Sequence, residues 1–227
     1  MGFEYVESNY LSLVNEIREL SLKAGREVTL IAVTKSGSDE ELLALARAGV
    51  LHIGENRPGE LKRRGDLLRE NGFSPALHEI GNLQRNKVKL IIDSVDLIHS
   101  LDSLPLAAEI DRQAKRVGRV VSVLIEVNSA GEEQKGGVMP EDAEDFLIKL
   151  KDFSHIRVAG LMTMGPVCES PEEIRPYFKA TKELYDRLNR NHGFYGGILS
   201  MGMSDSYAVA IEEGATHVRV GRKLFNR

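Results

Sequence analysis

The sequence predicts a single (β/α)8 barrel, an α/β fold, with one extra helix at its amino terminus. Three observations predict it. A short apolar, β-branched run followed by a helix-length pattern recurs eight times along the 227 residues, as βαβ units on a parallel sheet do. No Pro-rich linker, low-complexity stretch or charge block divides residues 1–227, so they read as one domain of a size that α/β barrels routinely reach. No G-x-G-x-x-G follows the first run, where the competing doubly wound dinucleotide fold needs it.

The elements follow in order. The opening stretch, MGFEYVESNYLSLVNEIREL, is acidic and amphipathic and reads as a helix over about Tyr5–Ala24. It lacks the basic region and apolar core of a signal peptide. Candidate strands are Thr29–Lys35, Leu51–Asn56, Ala76–Asn82, Val95–Leu101, Val121–Asn128, Val158–Gly165, Gly197–Met201 and His217–Arg222. Between them, Asp39–Ala48 has Ser38 as its N-cap, Glu41 three residues on, and Gly49 as its stop. Asp102–Val117 stops at Gly118, and Met139–Lys151 carries Pro140 in its first turn. Pro171–Asn191 ends before Gly193, and Asp205–Glu213 stops at Gly214. Eight strands and eight or nine helices result.

Composition narrows the function classes. Hydrophobic residues make up 42% and charged residues 28%, as in ordinary globular proteins. Thirty basic against 34 acidic residues leave a net charge of −4, which speaks against a nucleic-acid partner or an anionic-membrane surface. No apolar run approaches the roughly 20 residues of a membrane span. The single Cys168 excludes an intrachain disulfide and a multi-cysteine metal site. A soluble protein of a reducing, cytoplasmic compartment is expected.

In a barrel, chemistry gathers at the carboxyl ends of the strands. Polar residues concentrate there: Lys35, then Glu55 and Asn56, His78 and Asn82, His99 and Ser100, Glu126 and Asn128, Thr163, Ser200 and Ser204, and Arg219. Lys35 shares strand parity with Ile31 and Val33, so its amine either snorkels to solvent or sits in the barrel mouth. In the mouth, partial desolvation would lower its pKa and prepare it for Schiff-base chemistry. In THVRVGR, the valines suit burial under the outer helices, which aims Arg219 into the barrel. A buried guanidinium requires an acceptor. Gly221 lets backbone approach a ligand, and its amide and that of Arg222 suit a phosphate. The loop Ser200-Met201-Gly202-Met203-Ser204-Asp205 adds hydroxyls where barrel phosphate sites often form. Ser204 and Asp205 serve equally as a helix N-cap. His52, His155 and His192 read as structural or solvated, Arg85, Lys87 and Lys89 as a solvated face, and no metal motif is present.

Taken together, IAVTKS, HIGEN, LHEIGNLQRNK, IEVNSAGEEQKGGV, GLMTMG and LSMGMSDSYAVAIEEGATHVRVG resemble the pyridoxal-phosphate homeostasis family. That family shares the barrel of the alanine racemase N-terminal domain. The resemblance covers nearly the whole chain, in order. It implies that pyridoxal 5'-phosphate is the cofactor and that Lys35 forms its internal aldimine. It also implies that Ser204, with the backbone of Gly221 and Arg222, holds the phosphate, that Arg219 faces the pyridine nitrogen, and that Asn56, His78, Ser200 and Met201 line the cofactor. Two positions depart from the family pattern, at the lip of the pocket: Leu77 stands where an aromatic residue is usual, and Arg57, before Pro58, where a tyrosine is common.

A cationic Arg219 at the pyridine nitrogen disfavours ring protonation, which weakens the electron sink that pyridoxal enzymes need. The chain also ends five residues beyond the last expected strand, leaving no room for a racemase's second domain. The reading is therefore an intracellular vitamin B6 buffer or carrier without robust catalysis or catalytic residues. It is expected to be monomeric and to meet pyridoxal-dependent apoenzymes transiently. One alternative is a pyridoxal-dependent amino-acid racemase with Tyr177, Tyr195 or Tyr207 as the opposing base. The other is a cofactor-free Schiff-base aldolase.

Overall fold

A computed structural model describes residues 2–132 and 136–226. Its strands are β1 (Thr29–Val33), β2 (His52–Glu55), β3 (Ala76–Glu79), β4 (Leu97–Leu101), β5 (Val121–Glu126), β6 (Ile156–Met162), β7 (Ile198–Ser200) and β8 (His217–Val220). All pair in parallel with their sequence neighbours, and β8 returns to β1, so the sheet closes into the expected eight-stranded barrel. The helices are α1 (Glu4–Ala24), α2 (Asp39–Arg47), α3 (Pro58–Glu70), α4 (Leu104–Arg116), α5 (Ala143–Leu150), α6 (Arg175–His192), α7 (Tyr207–Glu212) and α8 (Arg222–Phe225). Helix α1 is the extra element. It buries Val6, Tyr10, Leu13 and Ile17 at helical spacing, packs on α2, α7 and α8, and ties down the last helix through Asn9 Nδ2, which donates to the Leu224 carbonyl (3.3 Å).

The observed elements are mostly shorter than the sequence patterns. Each strand but β4 loses residues at its carboxyl end, where the chain leaves the ladder to form the mouth loops; β4 stops at Leu101 as expected, and β6 starts early, at Ile156, but stops at Met162, short of the expected Gly165. The β3–β4 crossover has no α-helix, only a 3₁₀ turn at Arg85–Leu90. Pro171–Ile174 is likewise a 3₁₀ turn leading into α6, whose first turn contains Pro176. The motif IEVNSAGEEQKGGV is described except for residues 133–135, which lie outside the described residues.

Strand parity sorts the side chains into two layers. Ala32, Ile53, Leu77, Ile98, Val123, Ile125, Leu161, Leu199, Val218 and Val220 join the continuous apolar layer under the helices. Leu97, Leu124, Ala159 and Met162 form a separate cluster inside the barrel, with Ile198 against it. Lateral partners in a parallel sheet face the same side, so the Ile31–Arg219 and Gly54–His78 pairs put Arg219 and His78 in the lumen.

The same rule turns Glu55 and its lateral partner Glu79 outward, beneath α3, and not into the mouth where the sequence pattern put Glu55. Glu79 is fully buried, and only its Oε1 has a partner, the amide of Gly81 (3.1 Å). Burial pushes its carboxyl up to about 8; the Gly81 amide opposes this and Glu55 adds to it. The folded state thus keeps a proton that the unfolded chain sheds near 4.5, so stability falls as pH rises from about 4.5 to 8. Glu79→Gln retains the shape without the titration. It is expected to match wild type near pH 4.5 and to gain about 2 kcal/mol by pH 8, read as a melting temperature roughly 6 °C higher. A pH-independent difference between the two proteins would refute this.

Candidate ligand site at the barrel mouth

Strands β8 and β1 are neighbours, and this brings the principal site candidates together. Val33 ends β1, and Lys35 follows two residues later in a turn. Because the strand stops there, the turn carries Lys35 above the rim. Its side chain is exposed, where the pattern allowed a partly desolvated amine inside the mouth. The turn itself is fastened. Arg64 of α3 donates from Nη1 to the Thr34 carbonyl (2.5 Å) and from Nη2 to the Gly37 carbonyl (2.7 Å). Arg64 also pairs with the buried Glu55 carboxylate at 3.1 Å, and that carboxylate accepts from the Thr34 hydroxyl (2.5 Å). Burial pushes Glu55 up, while Thr34 and Arg64 pull it back. The backbone on both sides of Lys35 is thereby held by one guanidinium.

Across the β8–β1 seam, Gly221 lies against Val33. A Cβ at Gly221 would stand 2.9 Å from the Val33 carbonyl oxygen, so only a bare backbone fits. The Gly221 amide faces Ser204 Oγ at 3.4 Å. Ser204 is not a helix cap: α7 starts later, at Tyr207, after Ser206. Its hydroxyl instead lies beside the Gly221 amide, near the end of β8. The side chains of Asp205 and Arg222 pair with each other, which leaves Arg222 to act through its backbone.

Arg219 lies in the lumen as expected. It is buried, with 4% of its surface exposed, and donates to Ser200 Oγ (2.6 Å) and to the Thr163 carbonyl (3.0 Å). Burial lowers its pKa to about 10, with Glu126 opposing, so it stays cationic at neutral pH. Glu126, at the end of β5, is pushed up to about 7 by burial and by Asp102, with Arg219 pulling it down.

The other lining candidates take different depths. Asn56 is exposed on the rim, and Gly81 presses against it so closely that a Cβ there would sit 2.3 Å from the Asn56 carbonyl oxygen. Ser200 is fully buried under Arg219. The Met201 side chain belongs to the outer apolar layer. His78 is deep in the lumen, with both ring nitrogens facing other histidines: His52 Nδ1 at 3.0 Å and His99 Nε2 at 3.0 Å. Among the tyrosines, Tyr207 is buried with its hydroxyl on Lys223, and Tyr195 sits where β6 begins, its amide on the Val158 carbonyl.

Sequence reasoning missed Arg64 and the joining of His52 to His78 and His99. The inward parity of His52, Gly54 and His78 was the available signal for the latter. His155 and His192 contact the carboxylates of Asp111 (3.3 Å) and Glu144 (2.8 Å).

The model of the alanine racemase N-terminal domain matches residues 9–226. A pyridoxal phosphate homeostasis protein of Aquifex aeolicus (strain VF5) is 41% identical over 216 residues, covering 94% of each chain. A protein of the same name from Schizosaccharomyces pombe is 34% identical and covers 88% of this chain and 84% of its own. Among solved structures, PipY of Synechococcus elongatus PCC7942 with PLP bound superposes with a TM-score of 0.85 at 29% identity, over 97% of this chain and 100% of that one. An alanine racemase of Clostridium difficile 630 superposes with a TM-score of 0.77 at 20% identity, over 97% of this chain and 60% of that one, a likeness of fold.

Proposed function

Because the chain belongs to the pyridoxal phosphate homeostasis family, built on the alanine racemase N-terminal domain, we propose that it binds pyridoxal 5'-phosphate and serves vitamin B6 homeostasis as a buffer or carrier. One observation carries the reading: a buried guanidinium, a hydroxyl–amide pair and an exposed amine lie along the β8–β1 seam. These residues fit the cofactor. The close backbone approach at Gly221 admits no side chain, but its amide and the Ser204 hydroxyl are donors for a phosphate, and Arg219 offers a cation to a ring nitrogen. When bound, pyridoxal phosphate supplies an aldehyde that condenses with an amine, and a ring that withdraws electrons.

The chain's own residues then divide the work. Lys35 provides the amine, held over the mouth by its fastened turn. Ser204 and the amides of Gly221 and Arg222 receive the phosphate. Arg219, unable to give up its proton at working pH, disfavours protonation of the nitrogen it faces. Asn56 lines the rim, Ser200 and His78 support from below, and Met201 contributes through its backbone. A ring left unprotonated favours holding over turnover, which supports the carrier over a racemase. We place it in the cytoplasm as a monomer, handing cofactor transiently to pyridoxal-dependent apoenzymes. Among the described residues no helix is long and apolar enough to cross a membrane.

Titrating the protein with pyridoxal phosphate is expected to give one equivalent of a yellow band. Amino acids added in heavy water are expected to keep their α-protons. Failure to form the band would overturn the cofactor reading and leave the aldolase; rapid α-exchange would overturn the carrier in favour of the racemase.

A further inference from the structure

Arg219 is buried, yet among the described residues no carboxylate stands within ion-pair distance of it. Its contacts are two neutral oxygens, those of Ser200 and Thr163. Behind Ser200 runs an unbroken line through the lumen. Ser200 Oγ lies 3.1 Å from His99 Nδ1, His99 Nε2 lies 3.0 Å from His78 Nδ1, and His78 Nε2 lies 3.0 Å from His52 Nδ1. Ser200, His99 and His78 are all buried, and His52, at the start of β2, is half-buried. Thus the line crosses the barrel from the mouth to its amino-terminal end.

Its direction follows from donor arithmetic. A guanidinium only donates, so Ser200 Oγ accepts from Arg219. The hydroxyl's one proton then goes to His99 Nδ1, the other ring or guanidinium atom bonded to it. His99 must carry its proton on Nε2 and give it to His78 Nδ1. His78 in turn donates from Nε2 to His52 Nδ1. Reversing the line would leave the Ser200 proton without an acceptor among the described residues, a costly defect in a buried site. Burial holds His78 down to about 3 and His99 well below the usual histidine range, so both rings are neutral. The charged or titratable groups facing the line are Asp96 and His217 at the His52 end and Glu126 at the Arg219 end.

We infer that His99 and His78 are positioning residues that hold Ser200 with its lone pairs toward Arg219, so that aligned neutral dipoles replace the missing carboxylate and keep the guanidinium aimed at the mouth. Aligned hydrogen bonds polarise one another in a low dielectric, and their negative end is the Ser200 oxygen. The rings are spent on each other, which fits the absence of any metal-competent group of His, Cys, Asp or Glu among the described residues. What the aim of Arg219 achieves rests on the cofactor reading; the line itself does not.

Long-range ¹H–¹⁵N spectra of histidine-labelled, cofactor-free protein test it. His99 and His78 are expected as single neutral tautomers protonated on Nε2 from pH 6 to 8. Ser200→Ala is expected to release His99 into a tautomer mixture and sharpen rotational exchange in the Arg219 guanidinium, and Ser200→Thr, which restores a hydroxyl, to recover the single form. A proton on Nδ1 of either ring, or an imidazolium, in the wild type would overturn the inference. The wild-type spectrum decides even if Ser200→Ala does not fold. The expected tautomers without a yellow band would sink the cofactor reading and leave this one standing.

Discussion

Lys35→Ala is expected to form no yellow band with pyridoxal phosphate and to retain the cofactor roughly 100-fold less well, a loss of about 3 kcal/mol. Its melting temperature should stay within about 2 °C of wild type, because an exposed turn side chain outside the fold's bonding contributes little to stability. The separation of the two readouts is the informative part. Arg219, Ser204 and the Gly221 amide remain in the variant, so weak, colourless binding through the phosphate should persist. Fluorescence quenching during a cofactor titration would detect it. A band that survives in Lys35→Ala would assign the anchoring amine elsewhere and remove the main residue from the proposed site.

Arg64→Ala is expected to cost about 4 kcal/mol and lower the melting temperature by roughly 10 °C. The substitution strands Glu55, which is 1% exposed, without its cation. It also removes the donors to the carbonyls of Thr34 and Gly37. Combining it with Glu55→Gln should recover part of the stability, since the uncompensated buried charge disappears. The turn would stay unfastened, so cofactor retention should remain weak in the double variant. Recovery of both together would mean that Arg64 acts only on stability and does not position Lys35. An Arg64→Ala protein that melts like wild type would refute the buried pair altogether.

Much of this architecture was legible in the sequence because each repeat announces itself locally. Ser38 and Glu41 form the capping box that their spacing indicates. The alternation Val218-Arg219-Val220 put the arginine inside because the outer helices demand the valines. Other features depended on neighbours that no local pattern records. The run Leu97–Leu101 is buried at every position, so it carries no alternation from which to read the direction of His99. A register shift between Ile98 and Leu101 against β5 obscures it further. Glu55 looked like a mouth residue because it ends a strand; only its lateral partner Glu79 and the Arg64 of a helix three residues downstream reveal that it faces outward. Lys35 was recognisable by type, but its height above the rim depends on where β1 stops pairing. Leu77, expected at the lip of the pocket, had no such local signature either: it faces outward and lies buried beneath α3, where its Cδ1 would stand 2.6 Å from a Cβ on Gly65. Arg57 is exposed just before that helix.

The interior cluster of Leu97, Leu124, Ala159 and Met162, together with the histidine line, fills the lumen below Arg219. Among the described residues the barrel is thus closed below Arg219 and opens at its mouth. A molecule seated on Arg219 would have to leave by the way it came, and an acceptor that collected it would stand where the next arrival would enter. If the protein is the carrier proposed above, loading and unloading would exclude one another on the same copy, and its throughput would be set by how long the doorway stays occupied, not by how many clients wait outside.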